Sequence, residues 1–219
     1  MDFRTLKQRV DAGEDQYTEF KLKAAHPDKI MREVIAFANA NGGLLLVGVD
    51  DNRTIPGLPN PDEEVYVLDK ALNEMCSPVP EYRMERIQVQ TRDRWVLAYH
   101  IAENPDKPSV LTLPGTDPPG KAYVRVRDKS IQASREFREL LKMQARNKPM
   151  RFEYGEKEKA LVQYLGSHKG ITLEEFAALC NLPMRQASRT LVLLCYCGLL
   201  KLIPHDEGDV FELKDPAMG

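Results

Sequence analysis

Between Gln16 and Lys23 the chain reads QYTEFKLK. Thr18, Phe20 and Leu22 fall on one side and Tyr17, Glu19, Lys21 and Lys23 on the other, the period-two pattern of a half-buried strand. Asp28 is expected to cap a helix whose apolar face is Ile30, Val34, Ile35, Phe37 and Ala38, with Asn41-Gly42-Gly43 as its stop. Leu44–Val49 is a continuous apolar run ended by Asp50-Asp51-Asn52, the pattern of a strand covered on both faces. Pro61 opens a second helix carrying Val65, Leu68, Leu72 and Met75, closed by Ser77-Pro78. Arg86–Gln90, a turn at Thr91–Arg94 and Trp95–Ala102 predict a hairpin, and Pro105–Pro119 predicts a loop. Ala122–Arg127 alternates again, with Val124 and Val126 opposite Tyr123, Arg125 and Arg127. Ser134 is expected to cap a helix running to about Asn147 with Phe137, Leu140 and Leu141 inward. The order β-α-β-α-β-β-β-α predicts an α+β domain with a mixed sheet over residues 1–148.

The pattern changes near Pro149. One amphipathic helix is expected over Glu156–His168 and a short one after the cap Thr172. A third runs over Met184–Cys197, entered through Asn181-Leu182-Pro183 and ended by Gly198. Leu199–Ile203 and Val210–Leu213 flank a turn at His205–Asp209. Three helices and a two-stranded ribbon predict a smaller winged helix-turn-helix domain over residues 149–219.

Composition narrows the function classes. Hydrophobic residues are 42% and charged residues 29% of 219, which excludes a wholly disordered chain. No apolar run is long enough to cross a bilayer, and the N-terminus has no apolar stretch behind its charges, so neither a membrane partner nor secretion is expected. Four scattered cysteines make no disulfide framework, so a cytoplasmic setting is expected. Gly115–Lys121 has the glycine and lysine spacing of a phosphate-binding loop. Ala122 supplies no hydroxyl for magnesium, two prolines remove N–H donors and a strand follows, so a P-loop ATPase is excluded. The histidines are not at ligand spacing with the cysteines, and Cys195 and Cys197 point apart on their helix.

Three features carry candidate chemistry. Glu14, Glu19, Asp50 and Asp51 lie at the ends of two strands, and if those strands are neighbours the carboxylates would converge on a magnesium or manganese ion. The five-residue offset puts Glu14 and Glu19 on opposite faces of a regular strand, so a bend near Gly13 is required. A solvated strand end and an acidic turn explain the same residues.

The net charge of −2 conceals a second feature, a segment of +7 between Lys121 and Arg151, the rest of the chain being −9. Arg125 and Arg127 share a strand face. Arg135, Arg138, Lys142 and Arg146 make one helix stripe, and together with Lys121 they form a candidate phosphate-tracking surface. A solvated helix face paired to Glu139 is the competing explanation.

The third feature is the candidate recognition helix, whose first turns hold Arg185, Gln186, Ser188 and Arg189. Residues 151–219 are nevertheless net −2, and Asp206, Glu207 and Asp209 at the wing tip would repel phosphate. DNA reading and a protein-interaction role both remain open for this module.

The run E-x4-EFK, a helix ending in AFANANGG, then LLLVGVDD, I-x-G and a later YVRV together resemble the Schlafen-type AlbA domain over roughly residues 10–145. The resemblance implies nucleic-acid binding, often with a winged helix following in bacterial transcriptional regulators. In the Schlafen branch it also implies metal-dependent cleavage of structured RNA, with Glu14, Glu19 and Asp50 or Asp51 matching the acidic positions. The reading that follows is a DNA-binding transcriptional regulator, a homodimer, with DNA a better-matched target than RNA. The alternatives are an endoribonuclease with Glu14, Glu19 and Asp50 as catalytic residues, and an oligomeric scaffold using the apolar face of Leu191–Cys197.

Overall fold

The computed structural model describes residues 1–89, 93–113, 115, 120–150, 153–205 and 207–214. The chain forms two compact units, Met1–Gln132 and Ala133–Gly219.

The first unit contains, in order, α1 (Phe3–Ala12), β1 (Thr18–Lys21), α2 (Pro27–Asn39), β2 (Gly43–Val47), α3 (Pro61–Met75), β3 (Cys76–Ser77), β4 (Tyr82–Gln88), β5 (Trp95–Ile101), β6 (Val110–Leu111), β7 (Tyr123–Val126) and β8 (Lys129–Gln132). A four-stranded mixed sheet has the order β1-β2-β5-β4. β1 and β2 are parallel, in register Thr18 to Leu44, and the other pairs are antiparallel. The expected α+β class with a mixed sheet is the observed one. β3 pairs with β6 and β7 with β8 in two separate ladders.

Alternation along the strands sends Leu44, Leu46, Val96 and Ala98 to one face of the sheet, where Leu6 and Val10 of α1 close over them. The other face, with Leu45, Val47, Leu97 and Tyr99, buries Ile30, Met31, Val34 and Ile35 of α2 and Leu68 and Leu72 of α3. Both faces are therefore covered, and β1 departs from the half-buried expectation: Thr18, Glu19 and Phe20 are all buried, while Leu22 lies beyond the strand and is exposed.

Local punctuation behaves mostly as its chemistry requires. Pro61 begins α3 and Pro27 begins α2, where proline loses no hydrogen bond. Asp28 is not the cap. It sits in the first turn of α2, 3.8 Å from Arg32, and the cap position is His26, whose side chain makes no capping bond. Ser134 caps its helix as expected, accepting from the Phe137 N–H at 2.9 Å.

The segment AFANANGG at the end of α2 is a packing device. Asn39, 3% exposed, donates through Nδ2 to the carbonyls of Ser109 and Tyr123 at 2.9 Å each, and its Oδ1 accepts from the Ser109 N–H at 2.7 Å. One side chain thus ties α2 to the loop before β6 and to β7. Gly42 has φ +77, and a Cβ on Gly43 would lie 2.2 Å from the Phe37 ring, so only glycine lets that ring seat on the strand.

The second unit contains α4 (Arg135–Arg146), α5 (Glu156–Leu165), α6 (Leu173–Leu179), α7 (Met184–Tyr196), β9 (Leu200–Ile203) and β10 (Val210–Leu213), with β9 and β10 antiparallel. Its core is Leu161, Leu165, Phe176, Leu191, Leu194 and Phe211, and Leu140 of α4 belongs to the same cluster. That packing puts the structural division at Gln132/Ala133, sixteen residues before the expected boundary at 148/149. Thr172 and Glu175 form the capping box of α6. The apolar face suggested for a scaffold is used internally: Leu191, Val192, Leu194 and Cys195 are buried in the unit's own core.

Asn39→Ala is expected to destabilise the first unit by ~3 kcal/mol, because it strands one buried N–H and two carbonyls. Urea unfolding followed through Trp95, the chain's single tryptophan, measures it. A loss below ~1 kcal/mol would show that water replaces the side chain.

Candidate nucleic-acid interface

Arg125 occupies the centre of the first unit's polar structure. Its side chain is 1% exposed, and Nη1 lies 2.5 Å from Glu33 Oε2 and 3.2 Å from Glu19 Oε2. Nη1 also donates to Ser130 Oγ at 3.1 Å and Nη2 to the Asp15 carbonyl at 2.8 Å. The guanidinium stacks 4.7 Å from the centre of the Phe37 ring. Ser130 donates to Glu33, and Lys21 pairs with the other oxygen of Glu19 while donating to the Phe20 carbonyl at 2.8 Å. Two cations thus face two carboxylates, which is what makes burial of this group tolerable. Burial and the neighbouring Glu19 charge raise the Glu33 carboxyl above its ordinary value.

The expectation that Tyr123 and Arg125 face outward with Arg127 is corrected by this geometry. Their strand face packs on α2, with Tyr123 under Arg32 at 5.9 Å and Arg125 over Phe37. Arg125 is a structural cation and presents no charge to a ligand. Sequence reasoning missed its partners Glu33 and Ser130. A signal for Glu33 does exist, one helical turn before Phe37 on the same face of α2.

The acidic residues are placed differently from one another. Glu14 Oε1 accepts from the Phe20 N–H at 2.6 Å, so the chain does bend at Gly13, which has φ +92. Burial raises the Glu14 carboxyl, and the charges of Glu19 and Asp51 add to the rise. Glu19 pairs in register with Leu45, whereas Asp50 lies three residues past the end of β2 and accepts from the Asn52 N–H at 3.2 Å. Both oxygens of Glu19 are already held by cations. Among the described residues no group of three or more His, Cys, Asp or Glu is placed to hold a metal ion. A magnesium or manganese ion does not fit Glu14, Glu19, Asp50 and Asp51 in this arrangement.

The remaining cations are on the surface. Arg127 and Asp128 form the two-residue turn between β7 and β8, Arg127 in the left-handed region at φ 59, and Lys129 follows. Lys121, Arg127 and Lys129 are exposed. On α4, Arg135, Lys142 and Arg146 are exposed and Arg138 is half-buried; Lys142 pairs with Glu139 at 2.8 Å. At the start of α7, Arg185, Gln186 and Arg189 are exposed, while Ser188 donates to Glu136 of α4 at 2.7 Å. Arg135, Arg185 and Arg189 line one cleft between α4 and α7.

Of the acidic residues expected at the ribbon tip, Asp206 lies outside the described residues, as does most of the Gly115–Lys121 segment. Asp209 accepts from Ser134 Oγ, and burial raises its carboxyl.

Residues 14–134, just over half of the chain, match the family described as Schlafen, AlbA_2. The chain belongs to the Schlafen AlbA_2 family. Among solved structures it is similar to the N-terminal domain of a RecG-related protein from Nitrosomonas europaea, at 29% identity and a TM-score of 0.42, over 56% of this chain and 86% of that one. It is also similar to the DIP2311 protein from Corynebacterium diphtheriae, at 20% identity and a TM-score of 0.38, over 55% of this chain and 26% of that one. The AlbA_2 match spans β1 to β8 and so takes in the whole Arg125 cluster. Among the described residues no helix is long and apolar enough to cross a membrane.

Two outcomes follow for the acidic residues. Glu19→Gln is expected to destabilise the first unit by ~2 kcal/mol, since it weakens a buried pairing with Arg125. Manganese is expected to leave the melting temperature of the wild type unchanged; a rise that Glu19→Gln abolishes would restore the metal reading. Glu14→Gln keeps the acceptor for Phe20 and removes a carboxylate whose pKa is raised in the fold. A raised carboxyl favours the folded state below its unfolded value, and that advantage is lost as pH rises through the folded value. Glu14→Gln is therefore expected to gain stability over the wild type at neutral pH and to lose the advantage below about pH 4, as urea titrations at a series of pH values will read.

Proposed function

We infer that this AlbA_2 protein binds nucleic acid through cations of the β7–β8 turn in the first unit and of α4 in the second. The observation that carries the reading is the contrast within the basic segment. Arg125 is neutralised inside the fold, whereas Arg127, Lys129, Arg138 and Arg146 make no ion pair among the described residues. Unpaired cations on a turn tip and along a helix stripe suit a phosphate backbone, whose charge density favours release of counterions on binding. Family membership supports the same class of ligand.

The finer reading is a DNA-binding transcriptional regulator, acting as a homodimer. The order α5-α6-α7-β9-β10 supports treating this part of the second unit as a winged helix, with α6 and α7 as the helix pair and β9–β10 as the wing. A dimer would present two such modules to a palindromic site. Selection from a random duplex library tests it: recovery of a two-fold symmetric motif supports the regulator, and recovery without sequence preference limits the protein to non-specific binding.

Replacing Arg127, Lys129, Arg138 and Arg146 together by alanine is expected to weaken binding to duplex DNA of every sequence alike. The slope of log affinity against log salt should fall by ~3 as phosphate contacts are lost. Unchanged affinity and slope, measured by fluorescence anisotropy on a variant with wild-type melting, would remove these cations from the account.

A further inference from the structure

The cleft between α4 and α7 has a shape and chemistry that phosphate tracking does not use. Two hydrogen bonds hold this pair: Ser188 of α7 to Glu136 of α4 at one end, at 2.7 Å, and at the other the Tyr196 hydroxyl to the carbonyl of Lys148, two residues past the end of α4, also 2.7 Å. Low numbers meet low and high meet high, so α4 and α7 run in the same direction. From Ser188 to Tyr196 is about 12 Å along the axis at 1.5 Å per residue, a groove roughly two turns long.

Its lining is divided. Arg135, Arg185 and Arg189 stand at the end where both helices begin, and the helix dipoles add positive potential there. Glu139, the one carboxylate in the lining among the described residues, is paired with Lys142. Towards the other end the wall is Met143, Met150, Val192 and Leu193, with Met150 47% exposed. Unbranched thioether side chains shape themselves to many apolar partners, and paired helices with such a floor are a recurring seat for an amphipathic helix.

The geometry points to a docking groove for an acidic amphipathic helix of a protein partner. Its carboxylates would meet Arg135, Arg185 and Arg189, and two apolar side chains one turn apart would enter between Met143, Met150 and Leu193. Two observations favour a peptide over a nucleic acid. Among the described residues the apolar lining is Met143, Met150, Val192 and Leu193, with no aromatic ring on which unpaired bases stack along the wall. The Ser188–Glu136 bond sets α4 beside α7, so that Arg185 and Arg189 border an apolar wall, which suits an amphipathic helix better than a phosphate backbone alone.

The test uses the full chain and a fluorescein-labelled, alanine-based helical peptide with a run of glutamates followed by two leucines four residues apart. Controls are a scrambled peptide, the same peptide with lysine for glutamate, and a single-stranded oligothymidylate. The acidic amphipathic peptide is expected to bind at least tenfold more tightly than the scrambled and lysine forms. Arg185→Glu with Arg189→Glu should abolish that preference, and Met150→Glu should weaken it at least fivefold, with melting temperatures at the wild-type value. All three residues are exposed, so the fold tolerates the changes. Equal binding of acidic and scrambled peptides overturns the proposal, as does binding unmoved by the three substitutions. Displacement of the peptide by oligothymidylate, with the same sensitivity to Arg185→Glu and Arg189→Glu, assigns the cleft to nucleic acid instead.

Discussion

A guanidinium taken out of water must find opposite charge and enough acceptors, or the fold would not retain it. Arg125 meets most of that demand through Nη1 and Nη2, Nε being left without a partner among the described residues, by drawing together residues that are far apart in the chain: Glu19 of β1, Glu33 of α2, Ser130 of β8 and the carbonyl of Asp15. Those contacts fix where the β7–β8 hairpin rests on α2. Phe37 is the pivot, because its ring carries Arg125 and also seats against Gly43 at the start of β2. Asn39, half a turn further on, secures the same hairpin through the Tyr123 carbonyl. A charge network, a ring and an amide thus attach one hairpin to one helix, and the turn at Arg127 projects from that attachment.

The network also explains how the basic segment is shared between structure and surface. A count of charges treats Arg125 and Arg127 as equivalent, two residues apart on one strand face. Burial separates them completely. Arg125 is consumed by Glu19 and Glu33, and by the same token Glu19 is consumed by Arg125 and Lys21. One arrangement therefore withdraws a cation from the phosphate surface and a carboxylate from any metal site.

In the second unit α4 plays an organising part that its place in the chain conceals. Its cap Ser134 also holds Asp209 of the ribbon, its Glu136 holds Ser188 of α7, and its Leu140 enters the core shared by α5, α6 and α7. Asp209, expected as a repelling charge at the ribbon tip, becomes part of this anchoring. The arginines of α4 and α7 consequently stand on two walls of one cleft, although fifty residues separate Arg135 from Arg185.

Element type was legible where local chemistry is strong. Pro61 marks a helix start, Ser134 and Thr172 cap, Gly198 stops α7, and Leu44–Val49 reads as a covered strand, all decided within a few residues. The family-bearing segments EFK, AFANANGG and VGVDD were legible too. The helix α1 was not anticipated, because only Leu6 and Val10 of its ten residues are buried and the rest of its pattern is that of a polar tail. The strand β8 was not anticipated either, since Lys129–Gln132 gains its strand form from pairing with β7. Period two established that Tyr123 and Arg125 share a face, and it was right. Which face of a strand turns inward depends on what packs against it, and a helix ninety residues earlier settles that. Local sequence determines conformation because backbone sterics and capping act over a few residues. Whether a charged side chain belongs to the core or to the surface is a long-range balance of desolvation against pairing, and only the assembled fold decides it.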